Sequence, residues 1–278
     1  MGVQMRNQTG WERNNRIVFD EIVNSYDTMR PEYPDDLFRD VLEFADSEKG
    51  KNAIEIGAGT GKATTPFLHA GYNVTAIELG ANMANFISNK FKEHKAFNVI
   101  EASFEDAVLE ETHFDLIYAA TAFHWVDAEI GCPKAFGLLT NGGTIALFRY
   151  NAIAADGEKV YDEIQDIYER HYYSYYTSST RPVKKSRQDF LKPSEIYISY
   201  GFENLKDYGF KDISMKFYDG AKTFTADEYL IWLDTMSDHR SLPETNRKAL
   251  YEDIRETIIR NGNYHKVDFI FQLYMGRK

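Results

Sequence analysis

Between residues 50 and 150 the chain alternates short β-forming runs with helix-forming stretches, and no other feature constrains its fold as much. Residues 52–57 (NAIEIG) read as a buried strand closed by glycine, 61–70 as a helix, and 73–78 (NVTAIE) as a second strand. In 81–92, Met83, Phe86, Ile87, Lys90 and Phe91 give one mostly apolar helical face. Residues 96–100, 114–119 and 143–148 supply three further strands. Strands that alternate with helices pair in parallel, with the helices crossing over both faces. The expected class is therefore α/β, doubly wound.

Beyond residue 150 the pattern changes. Residues 157–170 read as a helix, and 171–200 are rich in Tyr, Ser and Lys, with Pro182 and Pro193. A strand is expected near 210–218, helices at 226–236 and 243–261, and a last strand at 266–275. The aromatic share is 15%, with 19 Tyr and 19 Phe, too many to be ignored as ordinary core.

Charge and cysteine usage exclude several classes. A formal net charge of -11 argues against nucleic acid as the main partner, since a polyanion binder needs a basic face. The single cysteine, Cys132, rules out an internal disulfide framework and a cysteine-rich zinc site. No H-E-x-x-H or similar spacing points to a metal. The first fifteen residues lack an apolar signal core, and the charge-free stretch 135–148 is shorter than the ~18 apolar residues of a membrane span. A cytoplasmic setting without membrane insertion is the expectation.

The segment Glu55-Ile-Gly57-Ala58-Gly59-Thr-Gly61-Lys62 lies between an expected strand and an expected helix. Glycines there let the chain turn sharply and bring backbone N–H groups close to a ligand. A dinucleotide-type G-x-G-x-x-G needs glycine at 62, where the chain has Lys62. A P-loop needs glycine at 56 and Ser or Thr at 63, where it has Ile56 and Ala63. What remains is E-x-G-x-G-x-G. Glu78 ends the next strand, 17 residues after Gly61, placed to accept hydrogen bonds from two adjacent ribose hydroxyls.

These residues resemble the first motifs of class I S-adenosyl-L-methionine-dependent methyltransferases. The resemblance implies a Rossmann-like, mostly parallel seven-stranded sheet with a C-terminal antiparallel strand and a helical or loop cap. It implies a cofactor, S-adenosyl-L-methionine, whose methionine and ribose lie over Glu55, Gly57, Ala58, Gly59 and Gly61, with Glu78 on the ribose. Leu79–Met83 (LGANM) is similar to the turn that sets an apolar side chain, here Met83, against the adenine; Met83 fits a core position equally well. Ser103 stands where the family has an acidic residue on the adenine amino group, and the Phe104 backbone would read the ring edge. Ala119, in FDLIYAA, would offer its carbonyl to the cofactor's amino group.

Phe123-His124-Trp125-Val126-Asp127, together with Tyr26-Asp27-Thr-Met-Arg30-Pro31-Glu-Tyr33-Pro34, looks like the small-molecule methyltransferases that esterify aconitate-type acids. The likeness is good over 15–150 and looser at 229–242; Thr121 replaces a glutamine common in that group. It implies an N-terminal segment, 1–50, closing over the cofactor with Tyr26 and Arg30; a core at 51–150; a cap or lid at 151–207; and strands and helices at 208–278 that complete the sheet and pocket. His124 and Trp125 are the candidate catalytic residues, His124 as a base or a positioning group and Trp125 as a wall. The expected activity is methyl transfer to a small molecule, with a carboxylate as one candidate. An amine, a ring carbon or an RNA base stays open as acceptor, as does a cofactor-binding protein without turnover. The basic, tyrosine-rich stretch from His171 to Arg187 reads as a surface loop, a lid over an anionic substrate, or a stacking surface for bases.

Overall fold

The computed structural model describes residues 20, 23–46, 51–175, 184–192 and 205–278. Parts of the readings over 1–50, 151–207 and 171–200, with Pro182 and Pro193 among them, lie outside these residues. In chain order the helices are α1 (Val23–Met29), α2 (Asp35–Ala45), α3 (Thr64–His69), α4 (Ala81–Lys90), α5 (Ala128–Leu138), α6 (Lys159–Tyr168), α7 (Arg187–Phe190), α8 (Ala226–Asp234), α9 (Ser237–Arg240) and α10 (Glu244–Arg260). The strands are β1 (Asn52–Ile56), β2 (Asn73–Glu78), β3 (Phe97–Glu101), β4 (Phe114–Ala120), β5 (Leu139–Ala152), β6 (Lys211–Phe224) and β7 (His265–Arg277).

The strands form one sheet in the order β3-β2-β1-β4-β5-β7-β6, and the pairs from β3 to β5 are all parallel. Strand β7 is reversed. Gly142 N donates to the Lys278 carbonyl and Lys278 N to the Gly143 carbonyl, joining the start of β5 to the end of β7. Strand β6 runs against β7 as well, because Gly220 lies beside Phe271 and Gly276 beside Ile213. Six strands thus share one direction, with the reversed strand inserted between β5 and β6, as the resemblance implied. The switch in strand order falls between β1 and β4, where open α/β sheets bind their ligands at the carboxyl ends of the strands.

The chain divides into two compact units. The sheet unit comprises Glu32–Asn151, Phe190–Gly220 and Ile270–Lys278. One face of its sheet carries Tyr118 and Phe148, stacked 6.5 Å apart, against Phe38 of α2 and Phe67 of α3. The other face buries Ile54, Ile117, Ile145 and Leu147 against Cys132, Ala135 and Leu138 of α5. Asp127 starts α5 by accepting from Glu129 N at 3.1 Å, satisfying an amide that the helix leaves without a partner. Cys132 is fully buried, and burial pushes its thiol up to about 12.

The helical unit comprises Met1–Pro31, Ala152–Asp189 and Ala221–Phe269. In it α10 packs on α6 and α8, and α8 begins in a capping box between Thr225 and Glu228. Much of the tyrosine surplus is spent here. After α6 the chain takes a π-helical turn at Glu169–Tyr173, so Tyr172 and Tyr173 are buried rather than solvated. The reason is a polar partner in the interior. Tyr172 donates to Asp238 Oδ2 at 2.5 Å, His239 Nδ1 lies 3.1 Å from Asp238 Oδ1, and His239 Nε2 lies 2.7 Å from the Tyr168 hydroxyl. Burial alone would raise the Asp238 carboxyl, but His239 and these hydrogen bonds outweigh it and hold it at about 2. Among the described residues no helix is long and apolar enough to cross a membrane, and no group of His, Cys, Asp and Glu is arranged to hold a metal.

Candidate active site

The carboxyl ends of β1, β2, β3 and β4 bring most of the sequence motifs into one row. Strand β1 ends at Ile56, and the chain then turns through Gly57, Gly59 and Gly61, all with φ between 54° and 78°. Gly57 N donates to the Ile77 carbonyl at 2.8 Å and Gly61 N to the Ala58 carbonyl at 2.9 Å. The glycines have different reasons to be glycine. A Cβ at Gly57 would stand 2.6 Å from the Ala122 Cβ, and one at Gly61 would stand 2.7 Å from the Phe91 ring. The first lets the segment after β4 close on the loop; the second lets α4 close on it from the other side.

Gly57→Ala is accordingly expected to cost about 2–3 kcal/mol, from left-handed strain plus the overlap with Ala122. Calorimetry should show the midpoint lowered by about 5 °C. An unchanged midpoint would mean that Ala122 yields and the packing is slack.

Glu78 holds the loop in place. Its Oε2 accepts from Gly59 N at 2.7 Å and its Oε1 from Gly80 N at 3.1 Å, so one carboxylate ties β2 to the glycine turn and to the start of α4. The side chain is half-buried. A carboxylate has about four acceptor directions, more than two amides use, so the group suits hydroxyl donors as well. Lys90 ties the loop from α4, donating to the Thr60 carbonyl at 2.8 Å.

Glu55 lies below the loop and is 1% exposed. Its Oε2 accepts from the Thr64 and Tyr118 hydroxyls, while Oε1 has no hydrogen-bond partner among the described residues. Burial pushes its carboxyl up to about 8, further than the two hydroxyls bring it down; the Glu78 charge also raises it and Lys90 lowers it. Glu55 is thus a neutral anchor for the turn rather than a charged group facing a ligand.

The remaining candidates fall into three groups. Ser103 and Phe104 follow β3, whose last pair with β2 is Glu78 with Glu101. The Ser103 hydroxyl donates to Asp106 Oδ2 at 2.6 Å, Phe104 is buried, and Lys134 Nζ lies 5.4 Å from the Phe104 ring centroid. Leu79 is half-buried, and Met83 is buried on α4. Ala119 is buried in β4 between Ile56 and Leu147. After β4, Phe123–Trp125 form a 3-10 turn with His124 exposed, Trp125 half-buried, and their rings 5.0 Å apart. Tyr26 and Arg30 belong to the helical unit; Tyr26 lies in α1, and Arg30 follows it and donates to the Thr235 carbonyl of the same unit.

Sequence reasoning missed Thr64, Tyr118 and Lys134. Tyr118 and Lys134 reach their partners across the fold, at separations that local spacing cannot reveal.

The geometry fits the cofactor implied by the glycine pattern: a left-handed glycine turn at the end of β1, a half-buried carboxylate at the end of β2, and a following strand end for a base. Comparison with known proteins agrees. A methyltransferase-domain family model matches residues 54–147. A protein of Dictyostelium discoideum named as a methyltransferase is 24% identical over 92% of this chain and 92% of its own length. The solved structure of a protein of Anaeromyxobacter dehalogenans, described as a type II methyltransferase, has a TM-score of 0.60 at 19% identity, covering 89% of this chain and 97% of that one. Phosphoethanolamine N-methyltransferase 2 of Haemonchus contortus, solved with phosphomonomethylethanolamine and S-adenosylhomocysteine, has a TM-score of 0.52 at 13% identity, covering 98% of this chain and 60% of that one. With the matched model lying over the glycine turn, the Glu78 strand end and β4, the chain carries a methyltransferase domain over these residues, and the findings support a class I S-adenosylmethionine-dependent enzyme.

Proposed function

We propose that this methyltransferase acts on a small acidic metabolite, transferring the methyl group to a carboxylate oxygen. The observation that carries the reading is the packing of the segment after β4 against the glycine turn, through Ala122 and Gly57, with His124 and Trp125 next along the chain. When bound, S-adenosylmethionine supplies a methyl group on a sulfonium, and an acceptor lone pair takes it while the C–S electron pair returns to sulfur.

The chain's own residues then have positioning roles. Glu55 and Glu78 fix the turn that holds the methionine and ribose ends, with Gly57, Ala58, Gly59 and Gly61 as its backbone. Glu78 takes the ribose hydroxyls. Leu79, Met83, Ser103 and Phe104 would surround the base, and the Ala119 carbonyl would take the amino group. Trp125 shields the reacting atoms from water, and its ring face favours a cation beside it. A carboxylate is ionised at neutral pH and needs no base, so His124 orients the acceptor rather than deprotonating it.

The test is calorimetric titration with S-adenosylhomocysteine, with NAD and ATP as controls, followed by a turnover screen of carboxylic acids against amines, phenols and a short RNA. Micromolar binding of S-adenosylhomocysteine and methyl ester formation support the reading. Methylation of an amine, a ring carbon or RNA replaces the acceptor class. Tight binding with no turnover on any acceptor identifies a cofactor-binding protein instead.

A further inference from the structure

The segment that leaves β4 starts with a residue in an unfavourable conformation. Thr121 has φ +53°, the left-handed region, which a β-branched side chain rarely enters. Thr112, the other β-branched residue in this region among the described residues, sits in an exposed turn before β4, where nothing is built on its direction. Thr121 is held on two sides. Its N–H donates to the Phe148 carbonyl at 2.7 Å, and its hydroxyl lies 2.6 Å from the Tyr33 hydroxyl.

Tyr33 is itself fixed. It is buried, and its ring meets Phe148, Phe271 and Phe38 edge-on, with centroids 5.1, 5.8 and 6.2 Å away. A hydroxyl carried on so constrained a ring can hold a partner in one place. The direction that Thr121 sets matters, because the next residue is Ala122, whose Cβ occupies the space that glycine leaves at position 57. Phe123–Trp125 follow at once.

We propose that Tyr33 is a positioning residue: through the Thr121 hydroxyl it holds the 121–125 segment in its left-handed departure from β4 and so keeps Ala122 against the glycine turn. The effect on cofactor binding rests on reading that turn as the cofactor loop; the effect on the segment itself does not.

The test uses the full chain with Tyr33→Phe, which removes one oxygen and keeps the ring. Amide hydrogen exchange over 120–126 should accelerate about tenfold, as expected when a local opening loses one hydrogen bond, while β1 and β2 stay protected. The S-adenosylhomocysteine Kd should rise by a similar factor of about ten. Adding Thr121→Asn should bring both values back to within about threefold of the parent, because asparagine adopts the left-handed region without a cross-chain tie.

Unchanged exchange in Tyr33→Phe overturns the proposal, and so does acceleration that Thr121→Asn leaves uncorrected. If the parent chain fails to bind S-adenosylhomocysteine, the cofactor-loop reading fails, and the exchange pattern still decides the role of Tyr33.

Discussion

Glu78→Ala should weaken S-adenosylhomocysteine binding about 100-fold, or ~3 kcal/mol, the scale of two hydrogen bonds to a charged acceptor. The carboxylate has two tasks. It fixes the turn through Gly59 N and Gly80 N, and it is proposed to meet the ribose. The first task should contribute little to global stability, since the site is half-buried and water can solvate both amides. A stability loss of about 1 kcal/mol is expected for the lost bonds. Glu78→Gln keeps one acceptor but turns an N–H toward a backbone N–H, so binding should fall nearly as far. Calorimetric titration together with thermal unfolding of both variants reads the two effects. Affinity unchanged in Glu78→Ala would remove Glu78 from the cofactor site.

The second large effect is in the pH dependence of stability and centres on Glu55. Its carboxyl, ordinarily near 4.5, is raised to about 8 in the folded chain, first by burial. The folded state therefore holds a proton that the unfolded state gives up across that window. Stability from this group is complete below the unfolded value and is lost as pH rises from about 4.5 to about 8. The full loss amounts to roughly 5 kcal/mol at ~1.4 kcal/mol per unit. Glu55→Gln cannot ionise and should lack this slope. It should be slightly less stable than the parent at pH 5, where its amide adds unpaired N–H groups in a buried place. At pH 8 the order should reverse. Urea unfolding of both proteins at pH 5, 6.5 and 8 gives the comparison, and parallel curves would show that Glu55 is already ionised at pH 5.

The parallel part of the fold was legible because buried parallel strands are continuous apolar runs. NAIEI and FDLIYAA can be little else, and glycine marks where the first of them ends. The 3.6-residue period exposed α4 through Met83, Ile87 and Phe91. Helix α5 was not read, because its apolar residues continue without a break toward β5 and its only clear signal is the Asp127 cap. Strand β5 is longer than the run 143–148 that was read, since Arg149 and Asn151 interrupt the apolar pattern while the strand continues.

The candidate site divides in the same way. The glycine spacing and Glu78 are local and could be read directly. The Tyr118 support of Glu55 and the Tyr33 tie to Thr121 span 63 and 88 residues and exist only once the sheet has formed. The tyrosines after α6 looked like a loop for a related reason: a polar ring face is buried only when something inside can accept its hydrogen bond, and here that acceptor is Asp238, 66 residues on.

The burial of Cys132 has a chemical consequence. A protein that holds an electrophilic methyl group is exposed to its own nucleophiles, and a thiolate is the softest and fastest of these. The chain has one sulfhydryl, set on the helix that follows His124 and Trp125, sealed against the sheet and kept protonated far above neutral pH. No cysteine thiolate of this chain competes with the acceptor, so the methyl donor is protected from the enzyme by the same packing that holds β4 and β5 in place.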